Sequence, residues 1–181
     1  MLTLAMAVVL GGTALAQDNF YFVTYYSNAN TANAPDATVR IINDGATGSD
    51  VYADIYVFDD SEELTECCSC LITPDGLLSE SVNKNLTANP LTGIKPQRGV
   101  IKVLATTTSD PTSINIPSLS YGLRGFATHV QKLASGFAVT ETQFQDSILS
   151  ATEFSALQSL CFYDALLSGK PCTCTPEDQD F

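Results

Sequence analysis

The stretch VYADIYVF, residues 51–58, decides how the chain folds. Its β-branched and aromatic residues suit a pleated strand better than a helix. Val51, Ala53, Ile55 and Val57 share one face at a spacing of two, and Tyr52, Asp54, Tyr56 and Phe58 share the other. Segments of the same kind recur on both sides. NFYFVTYY (19–26) is apolar on both alternate faces and reads as a strand buried on both sides. TVRIIN (38–43) precedes the opening stretch across DGATGSD (44–50), and the two are expected to pair as a hairpin with a long glycine-containing loop. GVIKVLATT (99–107) is a further strand. GLRGFATHVQ (122–131) and GFAVTETQF (136–144) form a second hairpin about KLAS (132–135). TPDG (73–76) is a turn, and residues 77–93, rich in Asn, are expected to be irregular with one short strand.

The last element differs in period. Ser150 followed by Glu153 has the form of a capping box. Phe154, Leu157, Cys161 and Ala165 then recur at helical spacing, Gly169 fits the position past the helix end, and Pro171 stops it. One amphipathic helix is expected over 151–168. Many strands, short turns and a single terminal helix predict an antiparallel β-sandwich with one C-terminal amphipathic helix.

The first residues bear on compartment. Residues 2–16 are almost wholly apolar and end in Ala14-Leu15-Ala16, the form of a secretory leader and its cleavage site, although no Lys or Arg precedes the run. The expected organisation is a leader over 1–16, an N-terminal strand and linker over 17–36, and the sandwich with its helix and cysteine-containing tail over 37–181. The mature chain has no transmembrane segment by this reading. The expected location is secreted or extracellular, with periplasm or cell surface as variants. A formal net charge of −12 disfavours nucleic acid, whose phosphates demand a basic patch.

Six cysteines fall in two triplets: Cys67, Cys68 and Cys70, then Cys161, Cys172 and Cys174. An even number in an exported chain points to disulfides. A bond between neighbours strains the peptide, so pairs run from one triplet to the other, or from Cys161 back to the tail. At least one bond from the 67–70 cluster to the tail is expected. A thiolate zinc site is the rival, but only Cys67 and Cys70 have C-x-x-C spacing. The same pair could be a redox motif, for which the thioredoxin context is missing.

Other candidates are weaker. Asp59, Asp60, Glu62 and Glu63 crowd an acidic turn that could offer oxygen ligands to calcium, though without EF-hand spacing. His129 is the one histidine, and no G-x-S-x-G elbow accompanies it. It is expected to be a surface or half-buried strand residue. Asn85-Leu86-Thr87 is a glycosylation sequon. Phe20, Tyr21, Phe22, Val23, Tyr25 and Tyr26 precede a linker-like stretch, so this strand is expected to pair within its own sheet or to add to a neighbouring copy.

VRIINDG, YADIYVFDDSEELTECCSCLITPDGLLSESVN, GLRGFATHVQ and CTCTPED together resemble a group of exported bacterial proteins, with C-C-x-C followed by T-P as the most specific part. The resemblance implies a secreted bacterial origin and no particular chemistry. The expected function is a secreted, non-enzymatic structural or surface protein, with other copies of itself as partners in an extracellular fibre. The alternative is a secreted metal- or ligand-binding module, using Ca at the acidic turn or Zn at the cysteines.

Overall fold

A computed structural model describes residues 20–168. The leader assigned to 1–16, together with Cys172 and Cys174, lies outside the described residues. The architecture is the expected one: two antiparallel sheets face to face, with a C-terminal helix on the outside of one of them. Sheet A has the order β4(Leu64–Ile72), β3(Val51–Asp59), β6(Arg98–Thr106), β1(Tyr21–Ser27), β9(Gln145–Asp146). Sheet B has the order β5(Leu77–Ser81), β2(Thr38–Asn43), β7(Leu123–Leu133), β8(Gly136–Gln143). The helix α1 covers Ala151–Ser168.

Three layers produce two cores, and this explains why β1 and β3 are apolar on both faces. Val51, Ala53, Ile55 and Val57 of β3 join Ile101 and Val103 of β6 and Val39 and Ile41 of β2 between the sheets. Tyr56 and Phe58 of β3 join Leu104 of β6 and Leu157 and Cys161 of α1 on the other side. Sheet A is therefore covered twice, and a polar residue on either of its faces loses water.

The hairpin expected between residues 38–43 and 51–58 does not form. β2 pairs β5 and β7 in sheet B, whereas β3 pairs β4 and β6 in sheet A. The intervening loop crosses between sheets instead of reversing within one. Asn43 makes the crossing possible. It is fully buried, its Nδ2 donates to the carbonyls of Ser49 (3.0 Å) and Ile72 (2.9 Å), and its Oδ1 accepts from Gly45 N–H (3.1 Å). The hairpin partner of β3 is the cysteine strand β4, reached through the acidic turn.

The second expected hairpin, β7–β8, is present. After it Phe144 turns the chain from sheet B to sheet A. Its ring packs on Gly125, where an added Cβ would lie 2.8 Å from the ring. Gly99 has a similar role within sheet A, since a Cβ there would sit 1.8 Å from the Phe58 carbonyl oxygen. The segment expected as a linker is pinned rather than loose. Asn30 takes hydrogen bonds with Asn83, Thr87 and Pro96, Ala29 N–H donates to Gln97, and the Asp36 carboxylate accepts from Ser81 Oγ and Asn83 N–H. Residues 77–93 hold one short strand, β5, and a π-helical turn, Val82–Leu86.

Candidate functional site

The chemistry-bearing groups gather around sheet A and α1. In β4 the C-C-x-C spacing is read out by the strand's alternation. Cys68 and Cys70 point into the core between the sheets, and Cys67 points to the helix side. Cys67 therefore meets Cys161, one turn beyond Leu157 on the buried stripe of α1. The two form a disulfide with Cα atoms 5.8 Å apart and a sequence separation of 94. This pairing joins the two cysteine triplets and excludes a bond from Cys161 back to the tail. The Cys67–Cys161 bond also takes Cys67 out of any C-x-x-C metal or redox pair.

Helix α1 is capped as its sequence suggests on one side only. Glu153 N–H donates to Ser150 Oγ at 3.1 Å. The Glu153 carboxylate turns instead to sheet A, where it accepts from Lys102 Nζ (2.5 Å) and Tyr21 OH (3.3 Å). These contacts sit in a shallow groove lined by Phe58, Asp59, Glu62 and Leu157 as well as Lys102. α1 also departs from simple amphipathicity. Leu157, Cys161 and Asp164 are buried, yet Phe162, Tyr163, Leu166 and Leu167 face water on the opposite side, each more than half exposed. Its apolar residues outnumber the positions that sheet A can cover.

In β3 lies a buried carboxyl group that the sequence reading did not single out. Asp54 is wholly inaccessible to solvent, opposite Ser69 in β4 and Leu104 in β6. Its Oδ2 lies 2.9 Å from Thr106 Oγ1, which lies 2.9 Å from the Thr108 carbonyl as well. A hydroxyl has one hydrogen and two oxygen neighbours here, both of which would be acceptors if Asp54 were ionised. A protonated Asp54 resolves the conflict: it donates to Thr106, which donates to Thr108. Burial supplies the driving force and pushes the carboxyl up to about 7, against the opposing effect of the Ser69 and Thr106 hydroxyls and with a further rise from Asp110. The signal was visible in the opening stretch, where one aspartate stands among Tyr52, Tyr56 and Phe58 on an apolar face. Asp164, buried on α1, is raised by burial too.

His129 is buried rather than half-exposed, with 1% of its surface accessible. Its ring stacks on Tyr25 with centroids 4.1 Å apart, and Nε2 lies 2.6 Å from Thr142 Oγ1. Burial lowers its pKa. The acidic turn is a capped turn. Asp59 Oδ1 accepts from the N–H groups of Ser61 (2.8 Å) and Glu63 (2.9 Å), and Asp60 pairs with Arg98 at 2.6 Å. Among the described residues no three His, Cys, Asp or Glu side chains converge as a metal site. Asn85 of the sequon donates to Glu80 at 2.5 Å, and Thr87 is fully buried.

The aromatic N-terminal strand is a member of its own sheet in this structure. Tyr21 to Ser27 pair with Leu104 to Arg98, and Phe22 and Val23 pair with Asp146 and Gln145. Tyr21, Phe22 and Tyr26 are buried; Tyr25 remains half exposed over His129.

No family model matches the chain, and no curated protein does. Two solved structures are similar to it. Thermotoga maritima 1070 aligns over 72% of this chain and 97% of its own, with 10% identity and a TM-score of 0.47. The Anabaena sensory rhodopsin transducer aligns over 51% of this chain and 91% of its own, with 14% identity and a TM-score of 0.37.

Proposed function

We propose that the protein is an exported structural or surface protein, a crosslinked building block that associates with copies of itself. The Cys67–Cys161 bond carries this reading. Bonds of this kind persist in oxidising compartments and are rare where glutathione keeps thiols reduced. Here the bond fastens the helix layer to sheet A and suits a part that must endure outside the cell. A non-enzymatic role is supported by the placement of the chain's one imidazole, which is stacked beneath Tyr25 and withdrawn from solvent. Phe20, Tyr21, Phe22, Val23, Tyr25 and Tyr26 could link copies only by exchange of β1 between them, because the strand already completes its own sheet.

Mass spectrometry of unreduced protein from fractionated cells tests the proposal. The expected species is extracytoplasmic, lacks residues 1–16 and yields a crosslinked peptide pair containing Cys67 and Cys161. A cytosolic species that retains the leader and carries Cys67 and Cys161 as thiols would sink it. Electron microscopy of the native secretion tests the association separately, with ordered multimers expected.

A further inference from the structure

We infer that β8 is the docking edge for a second copy of this chain, pairing antiparallel with the partner's β8 about a two-fold axis at Thr140. The inference rests on the structural role proposed above and supplies its partner surface.

β8 is the terminal strand of sheet B, and among the described residues no strand pairs with its outer edge. It runs for eight residues, GFAVTETQ, rich in strand-forming types. Protected edges carry proline, lysine, a bulge or an inward charge. β8 has none of the first two, and its register with β7 is unbroken. Its one charge, Glu141, is already neutralised by Arg40 at 2.6 Å. In a molecule of net charge −12, this edge brings a single carboxylate per copy to the contact, and Arg40 offsets it.

The ladder fixes which groups are on offer. Phe144 N–H donates to the carbonyl of Gly125 opposite it, at 2.8 Å. Hydrogen-bonded pairs alternate along an antiparallel ladder, so Ala138, Thr140 and Thr142 spend their backbone groups on β7. Phe137, Val139, Glu141 and Gln143 turn theirs outward. An extended strand is the ligand that such a row accepts. With Thr140 opposite Thr140 of the second copy, Val139 faces Glu141 and Phe137 faces Gln143, and every outward N–H and C=O meets a partner. A two-fold axis at Glu141 would instead set two carboxylates face to face. The register at Thr140 is therefore self-complementary over the full strand, as an isologous contact requires. It makes one continuous sheet from two copies of sheet B.

The test uses the full chain with its disulfides intact. Sedimentation of the wild type at micromolar concentration is expected to show a dimer. Val139→Pro removes an outward N–H and no β7–β8 hydrogen bond, and weakens the dimer at least about tenfold. Near-ultraviolet circular dichroism checks that this variant is folded. Cysteine substitution gives a second readout that does not depend on the proline. Non-hydrogen-bonded partners have Cα atoms about 4.5 Å apart, within disulfide reach. Thr140→Cys is expected to trap a covalent dimer on mild oxidation, and Val139→Cys is not, because its copies lie diagonally. A protein that stays monomeric at about a hundred times that concentration overturns the inference while leaving export and crosslinking intact. So does a dimer that ignores Val139→Pro and fails to crosslink through residue 140.

Discussion

Replacing Asp54 with Asn should make the protein more stable at pH 8 and remove most of one pH-dependent contribution to its stability. The carboxyl titrates at 3.8 when exposed and at about 7 in the fold. Between these values the folded state holds a proton that the unfolded state has lost, so stability falls as pH rises from about 4 to 7 and is level above. The separation of roughly three units corresponds to about 4 kcal/mol at 1.36 kcal/mol per unit. An Asn amide has nearly the same shape, and its Nδ2 can donate to Thr106 Oγ1 as the protonated acid does. The variant should match the wild type at pH 4 and exceed it by a few kcal/mol at pH 8. Guanidinium unfolding of both proteins at pH 4.5 and 8, with disulfides intact, reads the difference directly. The remaining carboxylates contribute equally to both proteins and cancel. A variant less stable than the wild type at pH 8, or a difference that does not change with pH, would refute a neutral Asp54.

Cys161→Ala with Cys67→Ala should lower the denaturation midpoint, by less than the roughly 4–5 kcal/mol that loop closure gives for a lone crosslink spanning 94 residues, because Cys70 stays disulfide-bonded in the variant. Gly99→Ala forces a Cβ into the Phe58 carbonyl and should destabilise by about 3 kcal/mol or more in the same assay, whereas Gly48→Ala, with open space around it, should cost less. His129 should remain neutral below its ordinary 6.5 when followed by the NMR shift of its ring proton. Its depressed pKa favours folding above about 6.5, and that contribution fades as pH falls toward the folded value.

Much of the layered fold is legible in the sequence, because period-two segments and a capped period-3.6 segment each obey local rules. The helix bounds, the β7–β8 hairpin and the doubly buried β1 follow from Ser150, the residues about KLAS and NFYFVTYY respectively. The pairing of β2 was not legible. Hairpin rules reward a nearby strand, but the choice between reversing and crossing depends on Asn43, whose partners include the carbonyl of Ile72 far along the chain. The strand β4 was hidden by its own chemistry. Its cysteines invite a search for metal or redox roles, although buried cysteine also packs as a small apolar residue and fits a ladder. The burial of Asp54 is not legible in its own segment, since the groups around it, Ser69, Thr106 and Asp110, lie well along the chain. The outward apolar residues of α1 were hidden in the same way, because period alone does not say how wide a stripe the sheet can cover.

The position of α1 after every described strand has a consequence for synthesis. The polypeptide emerges N-terminus first, so both sheets can condense while the helix is still inside the ribosome. Until it arrives, Tyr56, Phe58, Leu104 and the Cys67 thiol stand bare to water and to other nascent chains. Products that terminate before residue 151 would therefore be sticky and readily degraded, and docking of α1 becomes the step that certifies a finished molecule.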